Sequence, residues 1–399
     1  MTNATLQWDD VNGQPQHAAW HSEAGRPAPA RMQVADDRLA ADAAYHLICE
    51  GSTLLWQGDF FNARHLMEAL KRRLDKPKLR GKAQKNAKPA HPPAPAATPA
   101  LAFHQQRQVQ ARRAHILGSI LIPLNGDYRI PLRRAPDVQA ACTQALGPAD
   151  GTARVIALRE LQGIVSAYEW RKNGVQIPAL QTLGGYDRIH PHYGVFSPVR
   201  GEYVDLVAQA PLPATATQTA AVAWDIGTGT GVLAAVLARR GVPQVIATDH
   251  AARALACAQD NVQRLGVAAQ VQLCNVDLFP PGHADLIVCN PPWLPVRATT
   301  SLEQAVYDPD SRMLRGFLAG LAAHLRPGGE GWLILSDLAE HLGLRSRADL
   351  LAWTEAAGLR VVGRLDIRPH HRKAQNASDP LHSARAAEVT SLWRLAGVA

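Results

Sequence analysis

From residue 221 onward, apolar and polar positions fall into two alternating rhythms. The short apolar runs AVAWDIG (221–227), QVIATD (244–249), QVQLCNVD (270–277), ADLIVCN (284–290) and GWLILSD (331–337) read as buried strands. Between or after them come stretches with apolar residues three and four apart: GVLAAVLARRG (231–241), AARALACAQDNVQRLG (251–266), SRMLRGFLAGLAAHLRPGG (311–329) and RADLLAWTEAAG (347–358). These read as helices, two of them closed by Gly241 and Gly266. LRVVGRLDI (359–367) and EVTSLWRLA (388–396) are strand-like, with no helical pattern between them. Strands alternating with helices predict a doubly wound, mostly parallel α/β sheet. Such sheets bind ligands beyond the carboxyl ends of their strands, near the point where strand order reverses.

The first 192 residues are less regular. Residues 38–73 read as two helical stretches around Gly51 and Gly58, so 1–74 is predicted to be a helical region. Residues 75–100 are Lys, Ala and Pro, ending in AHPPAPAATPA, a basic Pro/Ala-rich linker. In 101–192, HILGSILIPL and DYRIPL have strand character, while VQAACTQAL and ALRELQGIVSAYEW have helical spacing. That stretch is predicted to be an accessory α/β region that recognises substrate. The catalytic sheet is expected at 193–399, behind an N-terminal α+β domain.

Composition narrows the class. Hydrophobic residues make up 47% of the 399, enough for a sizeable core. No apolar run approaches the ~20 residues of a membrane helix, and MTNATLQWDD lacks the features of a signal peptide. Five cysteines, at 49, 142, 257, 274 and 289, form no CxxC. An odd count without that spacing argues against a disulfide framework and a zinc site, and suits a reducing cytoplasm. His370 and His371 with His190 and His192 lack metal-ligand spacing, so no metal is expected. The net charge of +8 is local: Lys71–Lys88 carries nine Lys/Arg against Asp75, and the remainder balances at 33 basic and 33 acidic residues. Such a run reads first as a solvated linker and second as an arm touching RNA or the ribosome.

Two motifs carry chemistry. In DIGTGTG, Gly227, Gly229 and Gly231 allow a tight strand-to-helix turn and close approach of backbone to a ligand. The spacing is GxGxG, not the dinucleotide GxGxxG, and Asp225 beside it would repel a pyrophosphate but welcome an ammonium. Thr228 lies within the same turn. Asp249, 18 residues after Gly231, ends the second strand, where a carboxylate can accept ribose hydroxyls. Asp277 ends the third and could accept an adenine amine, with Leu278 or Phe279 against the ring. The second motif is VCNPPWLP. Proline fixes φ and removes a donor, and the residue before it is held extended. Asn290 therefore sits on a rigid stub ahead of Pro291 and Pro292, with Trp293 beyond, a clamp for something flat and polar.

Asp225–Gly231 resembles motif I of class I S-adenosylmethionine (SAM) methyltransferases. Asn290–Trp293, 65 residues past Asp225, resembles the [N/D]PP[Y/F/W] tetrad of enzymes that methylate planar nitrogens. These include HemK-type protein glutamine methyltransferases, adenine-N6 enzymes and guanine-N2 ribosomal RNA enzymes. Upstream, HYGVFSPVRGEYVDLV (192–207) looks like the segment preceding motif I in the HemK and methyltransferase small-domain group, with Tyr193, Phe196, Pro198 and Arg200 in the corresponding places. The resemblance covers about 193–345. It implies a Rossmann-like class I sheet, SAM as cofactor held by Asp225, Gly227, Thr228, Gly229, Gly231, Asp249, Asp277, Leu278 and Asn290, and catalysis by Asn290, Pro291, Pro292 and Trp293. The implied substrate is a planar NH2 of a macromolecule, either a glutamine of a ribosomal or translation-factor protein or a base of ribosomal RNA. One N–H would be accepted by the Asn290 side-chain oxygen and one by the Pro291 carbonyl, with Trp293 stacked on the flat group. A small-molecule N-methyltransferase and a catalytically silent SAM-binding scaffold are the alternatives. Glutamine enzymes usually carry Tyr where this chain has Trp293, and the first 190 residues do not read as their small helical bundle.

Overall fold

The computed structural model describes residues 4–10, 12–75, 98–181, 185–199, 201–298, 302–369 and 379–398. It divides into two units: one of the described residues before 98 with His104–Tyr168, the other of Thr98–Phe103 with everything from Glu169 on.

The first unit holds β1 (Thr5–Asp9), β2 (Pro15–Trp20), β3 (Met32–Ala35), α1 (Ala41–Cys49), β4 (Thr53–Trp56), α2 (Phe60–Asp75), most of α3 (Pro99–Leu117), β5 (Ile120–Leu124), α4 (Gln139–Leu146), β6 (Arg154–Ala157) and the start of α5 (Leu158–Asn173). Its sheet runs β1-β2-β6-β5-β4-β3. This corrects two expectations. Residues 1–74 are not a helical region, because four strands cross them. Nor are 1–74 and 101–192 separate pieces, since β4 pairs with β5, and β6 with both β5 and β2. Leu54, Leu55, Leu121 and Val155 lie buried in the middle of that pairing. DYRIPL forms no strand: Tyr128, at φ +67°, turns the chain so that Asn125 N–H reaches the Arg129 carbonyl.

The second unit opens with a two-stranded ribbon, β7 (Val175–Gln176) and β8 (Arg188–Ile189), and α6 (Glu202–Gln209). The alternation read from the sequence follows as β9 (Val222–Ile226), α7 (Val232–Arg239), β10 (Gln244–Asp249), α8 (Ala252–Arg264), β11 (Val271–Asn275), β12 (Ala284–Cys289), α9 (Arg312–His324) and β13 (Leu325–Ser336). Then come α10 (Leu338–His341), α11 (Arg347–Ala356), β14 (Leu359–Ile367), α12 (His382–Ala387) and β15 (Thr390–Gly397). The short α12 is an addition, since no helical pattern is visible there in the sequence.

The sheet order is β11-β10-β9-β12-β13-β15-β14. Its first five strands are parallel and the last two pairings antiparallel. Its central strands are buried on both faces, as in a doubly wound sheet. Val232–Ala238 of α7 are all buried on one side, and Trp224, Phe317 and Leu321 share the core on the other. The chain runs outward from β9 through β10 to β11, then returns to β12 on the far side of β9. The switch point therefore falls between β9 and β12.

Candidate functional site

Register places the two motifs side by side. Ile226, the last residue of β9, pairs with Thr248 of β10 on one side and Cys289 of β12 on the other. The glycine turn and the Asn-Pro-Pro stub thus leave adjacent parallel strands at the same level. Asp249 pairs with Asn275, the end of β11, so Asp277 follows at the same edge.

Gly227, Gly229 and Gly231 have φ of +72°, +55° and +80°, left-handed values that disfavour any side chain. A Cβ on Gly227 would strike Met313 Cε at 2.6 Å, whereas one on Gly229 would meet nothing within 4 Å. At the first glycine the positive φ, with a Met313 methyl that would have to shift, disfavours a side chain; the second faces open space over the turn. Below it, Asp225 is 1% exposed. Its Oδ2 accepts the Thr228 hydroxyl at 2.7 Å and the Ala234 N–H of α7 at 3.0 Å. Both donors are neutral, and Asp249 is a negative neighbour. Burial above all pushes the Asp225 carboxyl up to about 6.

Asp249 is held ready at the tip of β10: Oδ2 accepts the Gly229 N–H at 3.1 Å and Oδ1 the Ala251 N–H at 2.9 Å. Each oxygen keeps a lone pair. Thr248, buried beneath it, donates to the Leu278 carbonyl at 2.8 Å. Leu278 has φ +67°, a strained conformation for a side-chain-bearing residue. The exposed Asp277 accepts from Arg312 at 3.0 Å, and that hydrogen bond lowers its pKa. Phe279 corrects an expectation. It stacks on Phe317 (centroids 5.9 Å) and His324 (4.6 Å) in the core, so of the pair only Leu278 is left to meet a ring.

At the end of β12, Pro291 is buried while Asn290, Pro292 and Trp293 are partly so. The Trp293 indole N–H donates to Asn290 Oδ1 at 3.0 Å. The ring packs against the cluster of Trp224, Cys289 and Leu314. The platform expected for a flat substrate is engaged inside the motif. Behind it, Trp293 N–H and Leu294 N–H both donate to the Val306 carbonyl at 3.1 Å, and Asp308 N–H donates to Leu294 at 2.8 Å. Asp308 in turn accepts from the first N–H groups of α9, Met313 and Leu314, and burial raises its pKa. Arg345 is 6% exposed and reaches the Trp293 carbonyl through Nη1 at 3.5 Å. Its Nε and Nη2 have no acceptor among the described residues, and burial lowers its pKa.

Sequence reading missed Thr248, Asp308 and Arg345, which lie in no motif. An acid four residues before a helix start was the available signal for Asp308. It also missed how the upstream segment is held. His190 N–H donates to Asn261 at 2.8 Å, His192 Nε2 meets Asp260 at 2.9 Å, and Asp260 also pairs with Arg171. The His190 backbone and the His192 ring are thereby tied to α8, and burial lowers the His192 pKa. Among the described residues no group of three His, Cys, Asp or Glu could hold a metal. Arg200 and His370–His371 lie outside the described residues, as does the basic run from Lys76 on.

A glycine turn after the first strand, an acid ending the second and Asn-Pro-Pro ending the fourth thus meet at one edge of a sheet whose last two pairings are antiparallel. Residues 187–346 match the family model of the methyltransferase small domain. Over 152 residues the chain is 37% identical to the release factor glutamine methyltransferase of Cereibacter sphaeroides, covering 35% of this chain and 52% of that one. The ribosomal protein L11 methyltransferase of Pelotomaculum thermopropionicum is 35% identical over 144 residues, 35% of this chain and 39% of its own. The chain thus spans about half the length of the first relative and less of the second. A solved SAM-dependent methyltransferase from Thiobacillus denitrificans, in complex with S-adenosyl-L-homocysteine, aligns at 18% identity over 51% of this chain and 92% of its own, with a TM-score of 0.34. That score is too low to add to the strand order.

Proposed function

We propose that the protein is a SAM-dependent N-methyltransferase whose acceptor is a planar NH2 of a macromolecule, a protein glutamine before a ribosomal RNA base. The observation that carries the reading is the pairing of Ile226 with Cys289, which sets the glycine turn beside Asn290. Both macromolecular relatives above act on proteins by name, which favours glutamine.

The residues present fit the cofactor. Asp225 is buried with no cation bonded to it among the described residues and suits an ammonium. The space over Gly229 is open, and Asp249 presents acceptors for ribose hydroxyls. Asp277, shared with Arg312, and Leu278 would flank the base. When bound, SAM supplies an electrophilic methyl on a sulfonium. The chain's own contribution is orientation. An amide nitrogen is a poor nucleophile because its lone pair is delocalised. Asn290 Oδ1 and the Pro291 carbonyl, fixed by two prolines, accept its two N–H bonds and turn the lone pair outward. Transfer would leave the neutral thioether of the cofactor, and one displaced N–H proton would pass to solvent; placement and preorganised dipoles supply the rate, with no strong base required.

Two experiments test this. Purified protein is given methyl-tritiated SAM and bacterial lysate, with RNase or protease added before or after. Label that survives RNase and is lost to protease is the expected result; label absent from every fraction contradicts transfer. Asn290→Ala should bind SAM normally and lose roughly 100-fold or more in turnover, as when one preorganised polar group is removed.

The concentration of the charge excess in Lys71–Lys88 favours a second reading, with RNA as part of the acceptor. Within the described part, Lys71 pairs with Glu68 and Arg73 with Asp42. Replacing Lys76, Lys78, Arg80, Lys82 and Lys85 with Ser should then flatten the log–log salt dependence of acceptor binding by roughly one unit per lost phosphate contact.

A further inference from the structure

Trp293 occupies the motif's aromatic position, yet its indole N–H is spent inside the motif, on Asn290 Oδ1 at 3.0 Å. We propose that Trp293 is a positioning residue: its indole sets the orientation of the Asn290 side-chain amide, and it acts on the methyl acceptor through Asn290 rather than by stacking on it. This rests on the N-methyltransferase reading above.

The physical case begins with the amide. An asparagine side chain can turn over about its last torsion, exchanging an acceptor oxygen for a donor NH2. For a site that must accept an N–H, the flipped state presents the wrong group. Here the prolines hold the backbone of residues 290–292 but place no restraint on that torsion. The indole does, because it is a donor only and can be satisfied solely by the oxygen. It takes one lone pair of Oδ1 and leaves the other for the acceptor. The tryptophan is itself fixed from both sides of its peptide. Its N–H bonds the Val306 carbonyl at 3.1 Å, and its carbonyl faces the buried Arg345 guanidinium at 3.5 Å. Its side chain packs against the core cluster on that face of the sheet. With the backbone held in this way, swinging the indole out would give up its bond to Asn290 and its packing against the core. A tyrosine hydroxyl can accept as well as donate, so it would satisfy either state of the amide and select neither.

The test is a double-mutant cycle with Trp293→Phe, which keeps an aromatic ring and removes the N–H, and Asn290→Ala. The acceptor is purified release factor, the substrate named for the relative above, and SAM binding is measured separately by calorimetry. Trp293→Phe is expected to lower kcat by about 3- to 10-fold, the worth of one hydrogen bond, with SAM affinity and the acceptor KM close to wild type. In the Asn290→Ala background it is expected to change nothing further, because the group it acts through is gone. A further fall in kcat or rise in KM in that background, multiplying the two single effects, would establish stacking and overturn the proposal. A second readout needs no acceptor. One of the nine tryptophan indole N–H resonances, identified by its loss in Trp293→Phe, should shift in Asn290→Ala. If it stays in place, the hydrogen bond does not exist in solution. That outcome is separate from failure of methyl transfer, which would sink the function and leave the resonance test standing.

Discussion

Two buried carboxylates show what separates the units. Asp59, 3% exposed in the first unit, receives the Arg134 guanidinium at 2.6 Å and the Phe61 N–H at 2.9 Å, and the arginine's hydrogen bond holds its pKa down. Asp225, 1% exposed in the second, receives a hydroxyl and an amide N–H, and burial pushes it up to about 6. One charge is complete within its own unit. The other lies under the glycine turn with no cation bonded to it among the described residues. Charges left unmatched where strands end beside an open turn are where a fold keeps room for a ligand.

The largest expected effect comes from removing the unmatched charge. The folded value of Asp225 lies above its ordinary 3.8. The native protein therefore holds a proton that the unfolded chain releases between about pH 4 and 6, and stability falls as pH rises through that window. Above it, the shift of about two units corresponds to a cost on the order of 3 kcal/mol. Asp225→Asn should thus raise the melting temperature of the cofactor-free protein at pH 7 while weakening SAM binding by about 2–3 kcal/mol, the scale of a hydrogen bond to a charged group. A variant that melts lower, or binds SAM as before, would erase the contrast with Asp59. Next comes Asp249→Ala, which leaves ribose hydroxyls without their acceptors and should weaken SAM by on the order of 1–2 kcal/mol in calorimetry. The smallest is Asp59→Asn. Its partner guanidinium is 65% exposed and can return to water, so stability should change little and SAM affinity not at all. An altered SAM affinity there would show that Asp59 is not the self-contained pair described.

The same contrast explains what could be read from the chain. The second unit was legible because neighbouring strands follow one another along the sequence, each buried run is followed by a helical period, and glycines and prolines mark its two turns. The first unit was not. β1 and β2 are largely exposed, so TLQWD and PQHAAW carry no apolar run. β4 is four residues long and finds its neighbour β5 beyond residue 119, a pairing that local periodicity does not reveal. At the site, motif spacing pointed to Asn290, Asp249 and the glycines. It could not show that Trp293 turns back on Asn290 across two prolines, that Phe279 is core, or that Arg345 is buried behind the motif, since each depends on what packs there from elsewhere in the chain.

The central claim is that Asp225 pairs with the ammonium of the cofactor, and proton counting tests it most directly. Titrating SAM into the protein at about pH 5.5, in buffers of different ionisation enthalpy, reads the protons displaced on binding. A carboxyl that is largely protonated when free and ionised beside an ammonium should release well over half a proton per SAM bound. The release should vanish near pH 7.5 and in Asp225→Asn, and affinity should fall toward tenfold per pH unit below about 6. SAM binding that releases no proton at pH 5.5, or releases as many from Asp225→Asn as from wild type, would contradict it.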